Sequence, residues 1–151
     1  MNKYAKLKEI MTEQVITVKP SDTMTKVDEI FKMHPIHHLP VVNDESKVVG
    51  IISKSDYFKM QHGLTLFHTA KSEAYNEALF HSILVEDVMT KQVATLHPDD
   101  TVATAADYFR ENLFHAIPIV DEHKRLLGIV TTYDLLNYAF KEDVYLPTKE
   151  N

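Results

Sequence analysis

Two short stretches of this sequence hold the residues best suited to chemistry, and they match each other. Gly50-Ile51-Ile52-Ser53-Lys54-Ser55-Asp56 and Gly128-Ile129-Val130-Thr131-Thr132-Tyr133-Asp134 share the pattern Gly-x-x-Ser/Thr-x-x-Asp. In each, an apolar run of strand length ends at the hydroxyl residue and a helical pattern starts beside the Asp. A carboxylate at such a junction can accept hydrogen bonds from two neighbouring hydroxyls, as on a ribose. Charge-assisted bonds of this kind contribute about 1.5–3 kcal/mol. The Ser or Thr hydroxyl and the free amides of a helix start suit a phosphate. The same residues also read as plain helix caps, because Ser, Thr and Asp are favoured there for their own backbone bonds.

Other chemistries have weaker support. The chain has no cysteine, which removes disulfides, thiol chemistry and Cys-ligated metals and fits a reducing cytoplasm. Of its nine histidines, His34, His37 and His38 lie close together, but Pro35 interrupts a helical pairing. His37 and His38 open a strand and so point to opposite faces. No metal site is expected. There is no Gly-rich phosphate loop, Gly-x-Ser-x-Gly or His-Glu-x-x-His, so no catalytic residues are expected either. A net charge of -6 argues against a nucleic-acid binder, whose footprint is basic. The longest apolar stretches are strand-sized, whereas a membrane span needs about 20 apolar residues.

The matching stretches belong to a longer repeat. A shift of 78 residues, which lays Met11-Thr12 over Met89-Thr90, also aligns Thr17 with Thr95, Pro20 with Pro98 and Asp22-Thr23 with Asp100-Thr101. It continues through His37 and His115, Pro40 and Pro118, Gly50 and Gly128, and Asp56 and Asp134. The chain therefore divides into a first repeat over 7–60, a connecting segment over 61–84, a second repeat over 85–140 and a tail over 141–151. A unit of about 55 residues is marginal by itself, so each is expected to cover the other's apolar face.

Each repeat reads as short helix, strand, helix, strand, strand, helix. Val15–Val18 and Val93–Leu96 are β-branched-rich runs that lead to a Pro. Ser21-Asp22-Thr23 and Asp99-Asp100-Thr101 are N-cap chemistry, and apolar residues follow at helical spacing: Met24, Val27, Ile30 and Phe31, then Val102, Ala105, Ala106 and Phe109. Two β-hairpins follow, with polar turns at Asp44–Lys47 and Glu122–Arg125. The 61–84 segment has no Pro, and Phe67, Ala70, Ala74, Ala78 and Leu79 fall on one face, so it reads as a packing helix.

Asp87-Val88-Met89-Thr90, Val93-Ala94-Thr95-Leu96, Pro98, His115-Ala116-Ile117-Pro118-Ile119-Val120 and Gly128 to Asp134 together resemble a CBS repeat, and the first repeat shows the same series. The resemblance implies an α/β fold of two β-α-β-β-α units packed sheet to sheet about a pseudo-twofold axis. It implies two clefts that take AMP, ADP, ATP, S-adenosylmethionine or another adenosyl ligand, and a homodimer. It also implies that each cleft mixes the first strand of one repeat with the Ser/Thr and Asp of the other. One site would join Thr17, Val18 and Pro20 to His115, Thr131 and Asp134. The other would join Thr95, Leu96 and Pro98 to His37, His38, Ser53 and Asp56, with Ile16, Val18, Ala94, Leu96, Pro40 and Pro118 as apolar walls. Neither entry carries an Arg, and His near its usual pKa of about 6.5 is only partly charged. The Asp56 site, with two histidines and Lys54, is expected to be the better phosphate site. Nucleotide affinity is then expected to rise as pH falls.

The function expected on this reading is regulatory ligand sensing in the cytoplasm, read out by a separate, unidentified protein. A protein-interaction scaffold with empty clefts and a small nucleotide-acting enzyme are the alternatives.

Overall fold

A computed structural model describes residues 1–64, 70–111 and 114–141. The first repeat contributes a 3-10 turn at Leu7–Glu9, helix α1 (Met24–Met33), strands β1 (His38–Val42) and β2 (Val48–Ser53), and helix α2 (Lys54–Leu64). Helix α3 (Ala70–Ser82) leads into the second repeat: α4 (Val85–Val88), α5 (Val102–Arg110), β3 (Ala116–Val120), β4 (Leu126–Thr131) and α6 (Thr132–Ala139). None of these helices is long and apolar enough to cross a membrane.

The two hairpins are copies of each other. β1 pairs antiparallel with β2 from His38↔Ser53 to Val42↔Val48, and β3 with β4 from Ala116↔Thr131 to Val120↔Leu126. In each turn a side chain takes the place of a backbone partner. Asn43 Oδ1 accepts from the Glu45 and Lys47 N–H groups, both at 3.0 Å, and Asp121 Oδ1 accepts from those of His123 and Arg125 at 2.8 and 2.9 Å. Ser46 and Lys124 occupy the left-handed region, each with φ of 63°.

The runs 15–18 and 93–96 are not full strands. Each pairs through one parallel bridge, Val18↔Val41 and Leu96↔Ile119. The cause is a proline in the neighbouring strand. Val18 N–H donates to Pro40 O at 3.2 Å and Val42 N–H to Val18 O at 2.9 Å; the next rung would need an N–H from Pro40. Pro118 stops the Leu96 ladder in the same way, after bonds of 3.2 and 2.9 Å. Asp22 and Asp100 are loop clamps as well as residues next to the caps. They accept from the Lys19 and His97 N–H groups, each at 2.7 Å. Of the two helix caps, Thr101 Oγ1 accepts from Thr104 N–H at 3.2 Å, whereas the Thr23 side chain makes no cap bond.

Contacts between the repeats obey the 78-residue shift, which is the signature of a pseudo-twofold axis. The bridge Thr12↔Ile129 has its mate in Ile51↔Thr90, and Lys6↔Thr101 in Thr23↔Leu84. Lys47↔Arg125 maps onto itself and therefore lies on the axis. The cores are also exchanged. Val85 of the second repeat, wholly buried, belongs to the core of Met24, Val27, Phe31, Leu39 and Ile52. Leu7 of the first repeat, equally buried, belongs to the core of Val102, Ala105, Ile117, Ile119 and Val130. Side-chain burial of this size stabilises by about 1.5–3 kcal/mol each.

The segment between the repeats is helical at its described residues, but its packing face differs from the expected one. Ala74 and Ala78 are exposed, and Phe80 and Ile83 lean on the first core. Phe67 lies outside the described residues. Small alanines contribute little area, so the large side chains at the end of α3 decide which face is buried.

The first core contains a polar lock that the second lacks. Tyr57, 3% exposed, stacks on Phe31 and Phe80 at 5.6 and 6.0 Å and donates its hydroxyl to Asp28 Oδ1. Burial and the Asp28 contact push the phenol pKa above its ordinary value. The second repeat has Leu135 and Ala106 at these positions. Tyr57→Phe is expected to lower stability by about 1–2 kcal/mol in urea denaturation, because the Asp28 carboxylate loses a donor while the ring contacts persist.

Candidate functional site

β2 and β4 end at Ser53 and Thr131, and the helices that follow start one residue later, at Lys54 and Thr132. At both junctions the hydroxyl caps the helix and the carboxylate holds that hydroxyl. Ser53 Oγ donates to Asp56 Oδ2 at 2.6 Å and accepts from Asp56 N–H at 3.0 Å. Thr131 Oγ1 does the same with Asp134, at 2.6 and 3.3 Å.

The two junctions then differ at one atom. Asp134 Oδ2 also accepts from Thr131 N–H at 2.7 Å, which completes a capping box. In the first repeat, Ile51 N–H and C=O both face Thr90, at 3.1 and 2.9 Å. Backbone direction alternates along a strand, so Ser53 N–H points along that same edge. Among the described residues it has no acceptor. Asp56 therefore keeps more acceptor capacity than Asp134, and an unclaimed N–H lies beside it.

That edge opens onto a cavity of about 620 Å³ between the repeats. The first repeat lines it with His37, His38, Ser53, Asp56 and Lys59 among others. The second lines it with Thr90, Gln92, Val93, Ala94, Phe114 and His115. The volume suits a small organic ligand. Ala94 is the second repeat's counterpart of Ile16, where a proline stops the parallel ladder. Its carbonyl has no donor among the described residues. The cleft thus offers a backbone acceptor from one repeat and a backbone N–H, a carboxylate and two lysines from the other.

Of the residues expected in this site, His37, His38, Ser53 and Asp56 line the cavity together, and His115 joins them. Thr95, Leu96 and Pro98 do not line it. Leu96 is core, 7% exposed, and Pro98 O accepts from Lys8 N–H at 3.0 Å. The residues just before them, Gln92 to Ala94, take the place facing the cavity. Proline interruption of the ladder at Pro118 is the sequence signal for this offset. Lys59 and Phe114 line the cavity without belonging to either repeated motif. One turn beyond the Asp on an exposed helix face, Lys59 was open to discovery from helical spacing.

Among the described residues, Asp134 shares a cavity with side chains other than those expected beside it. Asp134 lines a separate cavity of about 460 Å³ with Glu9, Ile10, Asn137, Tyr138, Phe140 and Lys141. Val18 is core at 1% exposure, and Pro20 O accepts from Glu86 N–H at 3.0 Å. Thr17 is half-buried beside Val18, and Thr131 is occupied as the cap of α6. Glu9 adds a second carboxylate to the lining of the Asp134 cavity.

His38 is half-buried at the mouth of β1. Burial, followed by the nearby His115 and His37, lowers its pKa below the ordinary 6.5; Asp56 opposes the shift. The unfolded chain then binds more protons below pH 6.5, so stability is lost as pH falls through that value. In His38→Gln the melting temperature is expected to vary less between pH 7.5 and 5.5 than in the parent. An unchanged slope would remove His38 as its source. No group of three or more His, Asp or Glu among the described residues is arranged to hold a metal ion.

The family model for the CBS domain matches residues 7–63 and 85–141. An uncharacterised protein of Methanocaldococcus jannaschii is 32% identical, with 86% of this chain and 88% of that one covered. An L-aspartate semialdehyde sulfurtransferase of the same organism is 30% identical over 85% of this chain, which spans only 22% of that enzyme. Enzyme names of this sort belong to longer proteins of which the matching region is a part. Among solved structures, the CBS domain pair of protein MJ0100, in complex with 5'-methylthioadenosine and S-adenosyl-L-methionine, superposes with a TM-score of 0.71. It is 28% identical, and 92% of this chain and 99% of that one are covered. CBSX2 in complex with AMP has the same fold, with a TM-score of 0.74, 23% identity and coverage of 90% and 96%. With both halves matched and the exchange of contacts between them in place, the chain belongs to the CBS domain family as a tandem pair of repeats.

Proposed function

We propose that this chain is a regulatory sensor that binds an adenine nucleotide or related adenosyl ligand in the cleft between Asp56 and Ala94, and that a separate protein reads its state. The observation that carries the reading is the pairing of Asp56 and the free Ser53 N–H with the unclaimed Ala94 carbonyl across one cavity. A carboxylate suits ribose hydroxyls, and a backbone carbonyl suits an exocyclic amine. Lys54, Lys59 and the three histidines suit phosphate. The adenosyl ligands held by the MJ0100 pair support the same class. Ligand binding would act by favouring one disposition of the two repeats, in proportion to its differential affinity for the alternatives.

A second reading, a protein-interaction module, is favoured by one feature. α6 and its C-cap residue expose Tyr133, Leu136 and Phe140 at 69%, 57% and 78%, at helical spacing. The two readings are compatible if that surface contacts the regulated protein.

Isothermal titration of AMP, ADP, ATP and S-adenosylmethionine into ligand-stripped protein tests the sensor reading. Saturable binding that weakens in Asp56→Asn and persists in Asp134→Asn supports it. Absence of binding by all four overturns it. A nucleotide that binds beside His38 is expected to favour its protonated form, so affinity should rise as pH falls from 7.5 to 6.

A further inference from the structure

We infer that the basic depression adjoining the cleft is a polyphosphate subsite, which makes the site selective for nucleoside di- and triphosphates over monophosphates. The inference rests on the adenosine reading of the cleft and extends it to phosphate number.

The depression, about 740 Å³, is lined by His37, Lys54, Ser55, Phe58, Lys59 and His62. Four of these, His37, Lys54, Ser55 and Lys59, also line the cleft, so the two hollows form one continuous surface. Asp56 lines the cleft and not the depression. A ligand whose ribose meets Asp56 can therefore extend a phosphate chain onto a surface with two lysines and two histidines and no carboxylate.

Three observations mark this surface as more than ordinary solvated charge. First, the chain carries a net charge of -6, and cations elsewhere in the first repeat find carboxylates. Lys19 pairs with Asp44 at 2.5 Å, Lys26 with Asp22 at 2.9 Å and Lys32 with Asp28 at 2.6 Å. Lys54 and Lys59 have no ion-pair partner among the described residues. Second, Lys54 Nζ lies 5.9 Å from the Phe58 ring centroid, which holds the ammonium beside the depression. Third, the fold does not require these charges. In the second repeat the positions of Lys54, Lys59 and His62 carry Thr132, Asn137 and Phe140. Ser55, Phe58, Lys59 and His62 recur at helical spacing, and all four are exposed on one face of α2. Lys54, at the start of α2, lines the same depression as Lys59, and a bound polyanion would neutralise both.

The test titrates AMP, ATP and inorganic tripolyphosphate into the parent, Lys59→Gln and Asp56→Asn proteins at low ionic strength. Lys59 sits on an exposed helical face, so Lys59→Gln is expected to melt with the parent. ATP is expected to bind at least about tenfold more tightly than AMP, the effect of one or two charge-assisted contacts. Lys59→Gln should shrink that ratio about fivefold or more. Tripolyphosphate should compete with ATP, weaken in Lys59→Gln and be unaffected in Asp56→Asn. Equal binding of AMP and ATP, or a ratio indifferent to Lys59→Gln, overturns the subsite while AMP binding sensitive to Asp56 preserves the cleft. Tripolyphosphate binding that depends on Lys59, with no nucleotide preferred over it, keeps the subsite and overturns the adenosine reading.

Discussion

Gly128→Ala is expected to destabilise the protein by about 1–3 kcal/mol, the range for forcing one carbon into a packed interior. Gly128 is not needed for its dihedral freedom, since neither it nor Gly50 has positive φ. It is needed for room. A Cβ there would lie 2.7 Å from Met11 Sδ and 3.0 Å from both Met11 Cγ and Thr12 O. The sulfur end of Met11 can swing aside. The Thr12 carbonyl cannot, because it accepts the Ile129 N–H at 3.0 Å in the bridge that joins the repeats. Gly50 is the mirror position, and there the atoms met all belong to the Met89 side chain, with Cγ at 2.9 Å and Cβ at 3.1 Å. Gly50→Ala should therefore cost less than Gly128→Ala. Adding Met89→Ala should recover most of the first loss, whereas Met11→Ala should recover only part of the second. A double-mutant cycle in urea denaturation measures both couplings. Equal recovery at the two sites would show that the Thr12 carbonyl also yields.

Asp56→Asn is expected to weaken nucleotide binding by about tenfold to a hundredfold, the effect of losing charge-assisted bonds of about 1.5–3 kcal/mol. Asn keeps an oxygen that can accept from Ser53 Oγ, and Ser53 Oγ still caps α2 by accepting the residue-56 N–H, so the loss should appear in affinity with little change in melting temperature. Asp134→Asn is expected to leave affinity near the parent value. Its carboxylate already accepts from both Thr131 N–H and Oγ1, at 2.7 and 2.6 Å, and Glu9 lines the same cavity. Calorimetry on the two variants checks the contrast. Equal losses would mean that both clefts are used.

The symmetry of the molecule was legible before any coordinates, because the 78-residue shift that aligns Met11 with Met89 also governs the cross-repeat bridges. Hairpins and helices followed from apolar period and turn residues. The cleft's floor was only partly legible. Val93–Leu96 looks like a strand by composition, yet Pro118 withholds the N–H that would extend its pairing, so Ala94 faces the cavity and Leu96 enters the core. Propensity describes one segment, whereas that effect belongs to its neighbour. The gathering of His115 with His37 and His38 was also out of reach, since it depends on how closely the two strand entries approach. In the middle segment, alanine periodicity pointed to one face and the larger Phe80 and Ile83 settled on another.

The exchange of Leu7 and Val85 between cores bears on how the protein comes to be folded. During synthesis Leu7 is made well before the hydrophobic site that receives it, which is complete only at Val130. The first repeat can close early only without Val85, its own late-arriving plug. Neither half then has a stable resting point before most of the chain exists, and the decisive contacts span long sequence separations. Such topology slows collapse to the native state and makes it cooperative. Refolding is accordingly expected to proceed as one concerted phase, with no plateau at which a single repeat stands folded by itself.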